Sequence, residues 1–186
     1  MTGLGALLLP IVVASVLVFL VSSAIHMGPF WHRTDFPRLP AEDQFRAALR
    51  SVTMAPGDYM VPRAYGMEEM KSPAFAEKIK EGPNVIMTVM PPSAFNMGRS
   101  LGLWFVYILL VSIFAAYVAG AALPVGAEYL PVFRFAGVAA FLAYAVALWQ
   151  MSIWYHRSWG MTAKVTLDGL IYALVTAGVF GWLWPK

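Results

Sequence analysis

The chain alternates between long apolar stretches and one extended polar stretch in its first half. A helix rises about 1.5 Å per residue, so about 20 residues cross a hydrocarbon core of roughly 30 Å. Four segments of about this length carry at most one charged side chain each, and the pattern therefore predicts four transmembrane helices. The predicted segments are residues 3–25, 101–122, 132–153 and 165–184.

The first segment has one alternative, a secretory signal peptide. Such a peptide needs a positively charged start and an apolar region of about 7–15 residues. Residues 1–3 contain neither Lys nor Arg, and the apolar run that follows is longer. The sequence therefore predicts a retained transmembrane helix within residues 1–26.

The polar stretch at residues 27–99 has the composition of a folded cap rather than a linker. Residues 40–51 are amphipathic and place two acids in the first helical turn, where the helix dipole favours them. Ser72, Pro73 and Gly82 are an N-cap, a first-turn proline and a stop signal for a second helix over 73–81. Residues 58–61 and 84–90 are β-like, and we expect a short hairpin or two irregular strands.

These elements predict three regions: helix 1 in 1–26, the cap in 27–99 and a three-helix transmembrane bundle in 100–186. The expected fold class is an all-α membrane protein. Its four transmembrane helices form a bundle, and a small α/β-like cap lies outside the membrane between helices 1 and 2.

The distribution of basic residues predicts the orientation. Of the 13 Lys and Arg, all but Arg134 and Lys186 lie in the loops at 27–99 and 154–164. Basic residues near membrane ends favour the cytoplasmic side. We therefore expect cytoplasmic loops, with both termini outside.

Composition supports a membrane protein and excludes some other classes. Charged residues make up 12% of the chain, whereas soluble domains carry about 25%. The net charge of +3 comes from scattered residues and does not indicate a nucleic-acid surface. The chain has no cysteine, which excludes disulfides and thiolate metal sites.

Small residues recur every four positions in the predicted helices. In lipid, helices associate through the close backbone approach that small residues permit. Such ridges are typical of packing within a bundle, and they also suit docking of a partner subunit or a second copy. The predicted helix-packing residues are Gly169, Ala173, Ala177 and Gly181 in the fourth segment and Ser112, Ala116 and Gly120 in the second.

The histidines are the main candidates for a metal or haem site. His26 and His32 follow the first segment and His156 ends the third, so the predicted topology brings all three to one membrane interface. Histidine is the commonest metal ligand and also holds haem axially. The alternative is that they are ordinary interfacial histidines. Methionines in the cap would favour Cu(I), but they also serve as core fillers.

Asp168 is a candidate ion or proton site because it lies at the start of the fourth segment. Ionisable residues inside a span often mark ion pathways. Lys164 lies four residues earlier and Tyr172 four residues later, on the same helical face. The alternative is a Lys164–Asp168 pair that only anchors the start of the helix.

No phosphate-binding loop, dinucleotide-binding glycine pattern or GxSxG elbow is present. The sequence therefore predicts no catalytic residue and favours a non-enzymatic role.

Residues 168–172, 180–185 and 92–101 resemble an uncharacterised group of small bacterial inner-membrane proteins. The resemblance covers most of the chain and implies a bacterial inner (plasma) membrane. It implies no functional residues, because the group has no known activity.

Together these observations favour an accessory or assembly subunit of an inner-membrane complex. The expected partners are lipid and other membrane subunits or further copies of the chain. The alternatives are a small oligomeric transporter or channel, and a haem- or metal-binding redox protein that uses the interfacial histidines.

Overall fold

The computed structural model describes residues 1–28 and 31–186. They form two compact units, Met1–Pro37 with Met97–Lys186, and Arg38–Asn96. In chain order the α-helices and strands are α1 (Leu8–Met27), α2 (Glu42–Arg50), β1 (Gly57–Val61), α3 (Met67–Met70), α4 (Pro73–Glu81), β2 (Val85–Val89), α5 (Met97–Ala122), α6 (Tyr129–Tyr144), α7 (Gln150–Tyr155) and α8 (Trp159–Trp182). Short 3-10 helices lie at Leu4–Leu7, Trp31–Thr34, Pro92–Ala94 and Val146–Leu148.

The first unit contains four helices that are long and apolar enough to cross a membrane, which confirms the predicted number. They are Leu4–Met27, Met97–Ala122, Tyr129–Tyr155 and Trp159–Trp182. The fourth begins six residues before the predicted start at 165. Ser158 caps it by accepting a hydrogen bond from the Met161 backbone N–H at 3.2 Å, so the helix includes polar residues that the hydropathy criterion excluded.

Hydrogen bonds bring both termini to one end of the first unit. The Thr2 backbone N–H donates to the Gly120 carbonyl at 2.7 Å, and the Gly126 N–H donates to the Pro185 carbonyl at 2.8 Å. The Trp184 indole N–H donates to the Pro124 carbonyl at 2.9 Å. The termini therefore lie at the turn between α5 and α6, as a four-span topology requires.

Small residues allow the helices of the first unit to approach closely. A Cβ added at Gly169 would lie 2.8 Å from the Ala145 Cβ, and one added at Gly181 would lie 2.6 Å from the Tyr129 ring. Ala173 and Ala177 between them are buried. On α5, Ser112 and Ala116 are buried, and a Cβ at Gly120 would collide with the Thr2 carbonyl oxygen.

The third long helix is interrupted although its sequence contains no Pro or Gly at that point. α6 ends at Tyr144, a 3-10 turn covers Val146–Leu148, and α7 begins at Gln150. The backbone of Gly169 approaches Tyr144 and Ala145 where the interruption begins. The Tyr107 hydroxyl donates to the Ala143 carbonyl at 2.9 Å, which satisfies a group that the interruption exposes.

The second unit contains a two-stranded antiparallel sheet and short helices. β1 and β2 pair from Gly57 opposite Val89 to Val61 opposite Val85. Two helices, α3 and α4, separate the strands in sequence, so the pair is not a tight hairpin. α4 has the predicted N-cap, because the Ser72 hydroxyl accepts a hydrogen bond from the Phe75 N–H at 3.1 Å.

Replacing Ser72 by alanine should loosen the first turn of α4. Losing an N-cap costs about 1 kcal/mol, which is a factor of about five in an equilibrium constant. Hydrogen exchange of the amides of residues 74–76 in the full chain should therefore accelerate about fivefold. Ser51→Ala is the matched control. Ser51 directly follows α2, and its hydroxyl donates to the Ala48 carbonyl in that helix, so it does not cap α4. Unchanged exchange in Ser72→Ala would contradict the capping role.

Candidate functional site

Polar side chains from three separate segments meet at the end of the first unit that lies opposite the termini. His26 lies in the last turn of α1, and His32 lies in the 3-10 turn Trp31–Thr34. Asp35 follows that turn directly, while Lys164 and Asp168 lie one turn apart on α8. We call these five residues the His–Asp cluster.

His32 connects two carboxylates. Its Nδ1 lies 2.7 Å from Asp35 Oδ2, and its Nε2 lies 2.8 Å from Asp168 Oδ2. A neutral imidazole donates from one nitrogen only. One of these two contacts therefore requires either a second proton or a cation that the nitrogen and the carboxylate share.

Lys164 holds Asp35 from the other side. Its ammonium donates to Asp35 Oδ1 at 2.7 Å and to the Thr34 hydroxyl at 3.0 Å. The hydrogen bond from Lys164, and secondly that from His32, lowers the pKa of Asp35 below its ordinary value. Asp35 is therefore an anion at neutral pH, with its two oxygens directed at different partners.

His26 stacks on His32, with ring centroids 4.6 Å apart and an interplanar angle of 8°. Its Nδ1 lies 3.0 Å from the Ser22 carbonyl oxygen. A carbonyl only accepts, so Nδ1 carries the proton and the lone pair is on Nε2. The Ser22 hydroxyl in turn accepts a hydrogen bond from the Trp104 indole at 2.8 Å.

Asp168 is the buried end of the cluster. Its side chain is 4% exposed, and among the described residues Oδ1 has no hydrogen-bond partner. The Tyr172 hydroxyl, one turn further into α8, is likewise buried and without a partner in the described part of the chain. A buried polar atom without a partner is costly, and a buried carboxylate oxygen especially so.

One donor atom each from His26, His32 and Asp168 lie within 4.8 Å of one another. Transition metals bind imidazole nitrogen and carboxylate oxygen at about 2.0–2.2 Å, which puts ligand atoms at most about 4.4 Å apart. The spacing of the three donor atoms is therefore close to that required for one shared ion. Asp35 would then be the carboxylate that orients a metal-bound histidine from behind.

The same geometry does not fit haem held between His26 and His32. Axial histidines point their ring nitrogens at the iron from opposite sides of the porphyrin. Here the two rings lie face to face at 4.6 Å, which leaves no space for a porphyrin between their nitrogens.

The structure arranges the predicted site residues differently from the sequence-based hypothesis. His156 is exposed, in left-handed conformation at the end of α7, and Asp168 is the third member of the group instead. Lys164 contacts Asp35, and Asp168 contacts His32. Because α8 begins at Trp159, Asp168 lies roughly 14 Å inside the helix at a rise of 1.5 Å per residue, rather than at its start.

Sequence reasoning missed Asp35. The signal was present, because Asp35 follows His32 by three residues in a stretch that folds as a single turn. Nothing in the sequence relates this turn to α8, from which it is separated by about 130 positions.

Comparison with known proteins gives no further guidance: no family model matches this chain, and neither a curated protein nor a solved structure matches it.

Proposed function

We propose that the chain is a multi-pass membrane protein that binds one divalent transition-metal ion at the His–Asp cluster. The ligands are His26 Nε2, His32 Nε2 and the Asp168 carboxylate. The observation that carries the proposal is that one donor atom from each of these three residues, which come from separate elements, lies within 4.8 Å of the other two. Two imidazoles and one carboxylate suit zinc, iron and similar ions, and they leave coordination positions open.

The outer surface of the four long helices supports a membrane location. Large apolar side chains such as Leu8, Leu103 and Phe114 are each more than 60% exposed. A surface of this kind on a soluble monomer would promote aggregation. In a bilayer the same side chains face lipid at no cost.

The positive-inside rule assigns both basic loops to the cytoplasm. In this proposed arrangement the His–Asp cluster, which lies at the same end of the helices as these loops, is on the cytoplasmic side. The resemblance to small bacterial proteins favours the inner membrane. In this orientation the ion comes from the cytoplasm, and the termini lie outside.

Three features favour an ion site over three ordinary interfacial polar residues. Asp168 Oδ1, which has no hydrogen-bond partner among the described residues, gains a cation. The Ser22 carbonyl fixes His26 in the form whose Nε2 can ligate. Asp35 is held by Lys164 behind His32, as outer-shell carboxylates are in metal sites.

Metal uptake by the purified protein tests the proposal. Chelator-treated protein in mild detergent, loaded with Co²⁺ or Zn²⁺ and desalted, should retain one ion per chain by elemental analysis. His32→Gln should retain none, while His156→Gln should bind like the natural protein because that histidine lies outside the cluster. No retained metal, or equal retention by both variants, would overturn the proposal.

Asp35→Asn tests the positioning role. Asparagine keeps the shape but weakens the hold on His32 Nδ1, and loss of such an outer partner typically costs about 10–100-fold in metal affinity. We expect that loss in a competition titration with a chromogenic chelator, together with an unchanged count of one ion at saturation. An unchanged affinity would mean that Asp35 serves only the Lys164 contact.

A proton pathway is the second candidate, and it would suit a transporter. The contacts form a continuous chain from the partly exposed Lys164 through Asp35 and His32 to the buried Asp168. Chains of ionisable groups in membrane helices relay protons. Metal-free protein in liposomes should then dissipate a pH gradient, and Asp168→Asn should abolish this flux. If liposomes that contain the metal-free protein keep their pH gradient, the proton pathway is excluded.

An accessory role in a larger complex stays a prediction. The small-residue ridges that suggested it pack inside the chain at Gly169, Gly181 and Gly120, so they no longer favour a partner. Native mass spectrometry in mild detergent that detects a co-purifying subunit would support this role independently of the metal.

A further inference from the structure

A groove lies beside the His–Asp cluster, between the last turns of α1 and the first turns of α5. Its volume is about 400 Å³. That lies within the range of about 300–1,000 Å³ that small-molecule sites occupy. Its lining includes His26, Met27, Met97, Ser100, Leu101 and Trp104.

The groove walls are mainly apolar, and few polar groups converge on it. Met27 and Met97 are 83% and 73% exposed, respectively. The indole N–H of Trp104 is already bonded to Ser22, so its ring offers only apolar contact. His26 and the serine hydroxyls supply the polar contacts, and this mixture fits an amphiphile.

His26 belongs to both the groove and the proposed ion site. A ligand in the groove therefore lies next to an open coordination position. The divalent ion contributes two positive charges, Asp168 and Asp35 one negative charge each, and Lys164 one positive charge. The remaining charge of about +1 would be balanced by a monoanion, and balance matters more where water is scarce.

We infer, on the basis of the proposed function, that the groove binds a single-chain amphiphile with a carboxylate headgroup, a molecule of the fatty-acid class. The carboxylate occupies the open position on the ion beside His26. The hydrocarbon chain lies along Met27, Leu101 and Trp104. The site is thus selective for an anion with a tail, rather than for anions in general.

The visible spectrum of cobalt-loaded protein in non-ionic detergent tests this inference. The spectrum reports a new oxygen ligand, and dodecanoate is compared with acetate, which has the same headgroup and almost no tail. Each buried CH₂ contributes about 0.8 kcal/mol, so two buried groups already give about a tenfold gain. We expect dodecanoate to shift the spectrum at a concentration at least tenfold lower than acetate.

Ser100→Phe and Met97→Phe are two variants that fill the groove. Neither substitution changes a residue that is proposed to bind the metal. Leu103→Phe is the matched control, because Leu103 is 61% exposed on the same helix and does not line the groove. Partition of dodecanoate into the detergent is the same for all variants. The tail advantage should persist in Leu103→Phe and disappear in both filling variants, all with cobalt still bound.

The outcomes separate this inference from the proposed function. Bound cobalt with equal responses to dodecanoate and acetate overturns the inference alone. A tail advantage that survives in the filling variants also overturns it, because the tail then binds elsewhere. If no cobalt binds, the proposed function fails and this inference fails with it.

Discussion

The Asp168→Asn variant is expected to lose metal affinity by more than about 100-fold without losing stability. Changing an outer partner of a metal ligand costs about 10–100-fold, and a directly bound carboxylate contributes more. Asparagine has the same shape and no charge, so the buried atom that lacks a partner among the described residues becomes a neutral amide atom, which costs less to bury than a carboxylate oxygen. Its thermal midpoint should therefore stay unchanged or rise.

The two measurements together distinguish a ligand from a structural residue. Affinity is measured by chelator competition and stability by thermal unfolding of the metal-free protein in the same detergent. Asp43→Asn is the control, because this carboxylate is exposed on α2 and should change neither quantity. Retained affinity would remove Asp168 from the site. Lost affinity with a collapsed midpoint would assign it to folding.

Gly169→Ala is expected to lower the thermal midpoint by about 2–12 °C. The new Cβ would lie 2.8 Å from the Ala145 Cβ and 3.0 Å from the Tyr144 carbonyl carbon. Neither atom is the end of a flexible side chain, so α8 must shift away from the interrupted helix. Overpacking of this kind costs about 1–3 kcal/mol, and for a chain of this size each kcal/mol lowers the midpoint by about 2–4 °C.

Gly178→Ala provides the matched comparison on the same helix. Its Cβ would have Tyr129 Oη at 3.8 Å as its nearest neighbour, an ordinary contact. This substitution should leave the midpoint unchanged or raise it slightly, since alanine favours helices. Gly169→Ala should also weaken cobalt binding, because the displaced segment carries Asp168. Equal midpoints for the two variants would show that α8 tolerates the added methyl group.

The sequence predicted the cap elements well where the signals were local. Ser72, Pro73 and Gly82 bound α4 as expected, because an N-cap, a first-turn proline and a positive-φ glycine act within a few residues. It left open whether the two strands form a hairpin or stay irregular, and it did not predict α3. β1 pairs with β2 although α3 and α4 lie between them in the chain. This pairing depends on contacts between residues that are distant in sequence.

The candidate site was predicted only in part. His26 and His32 were singled out because they end an apolar segment, and that reasoning depends only on hydropathy. His156 was included because it ends another segment at the same side. Only the structure shows that the third residue of the group is Asp168. Because α8 begins at Trp159, Asp168 lies well inside this helix, and its side chain is directed toward His32.

By itself the sequence determined the four apolar helices, their number and the separation of the polar cap, since each follows from runs of side chains that water rejects. The tertiary structure decided the interruption after Tyr144, the pairing of Lys164 with Asp35 and the convergence of His26, His32 and Asp168. These depend on the rotation and close approach of helices, which are set by packing between residues far apart in the chain. Hydropathy does not record such contacts.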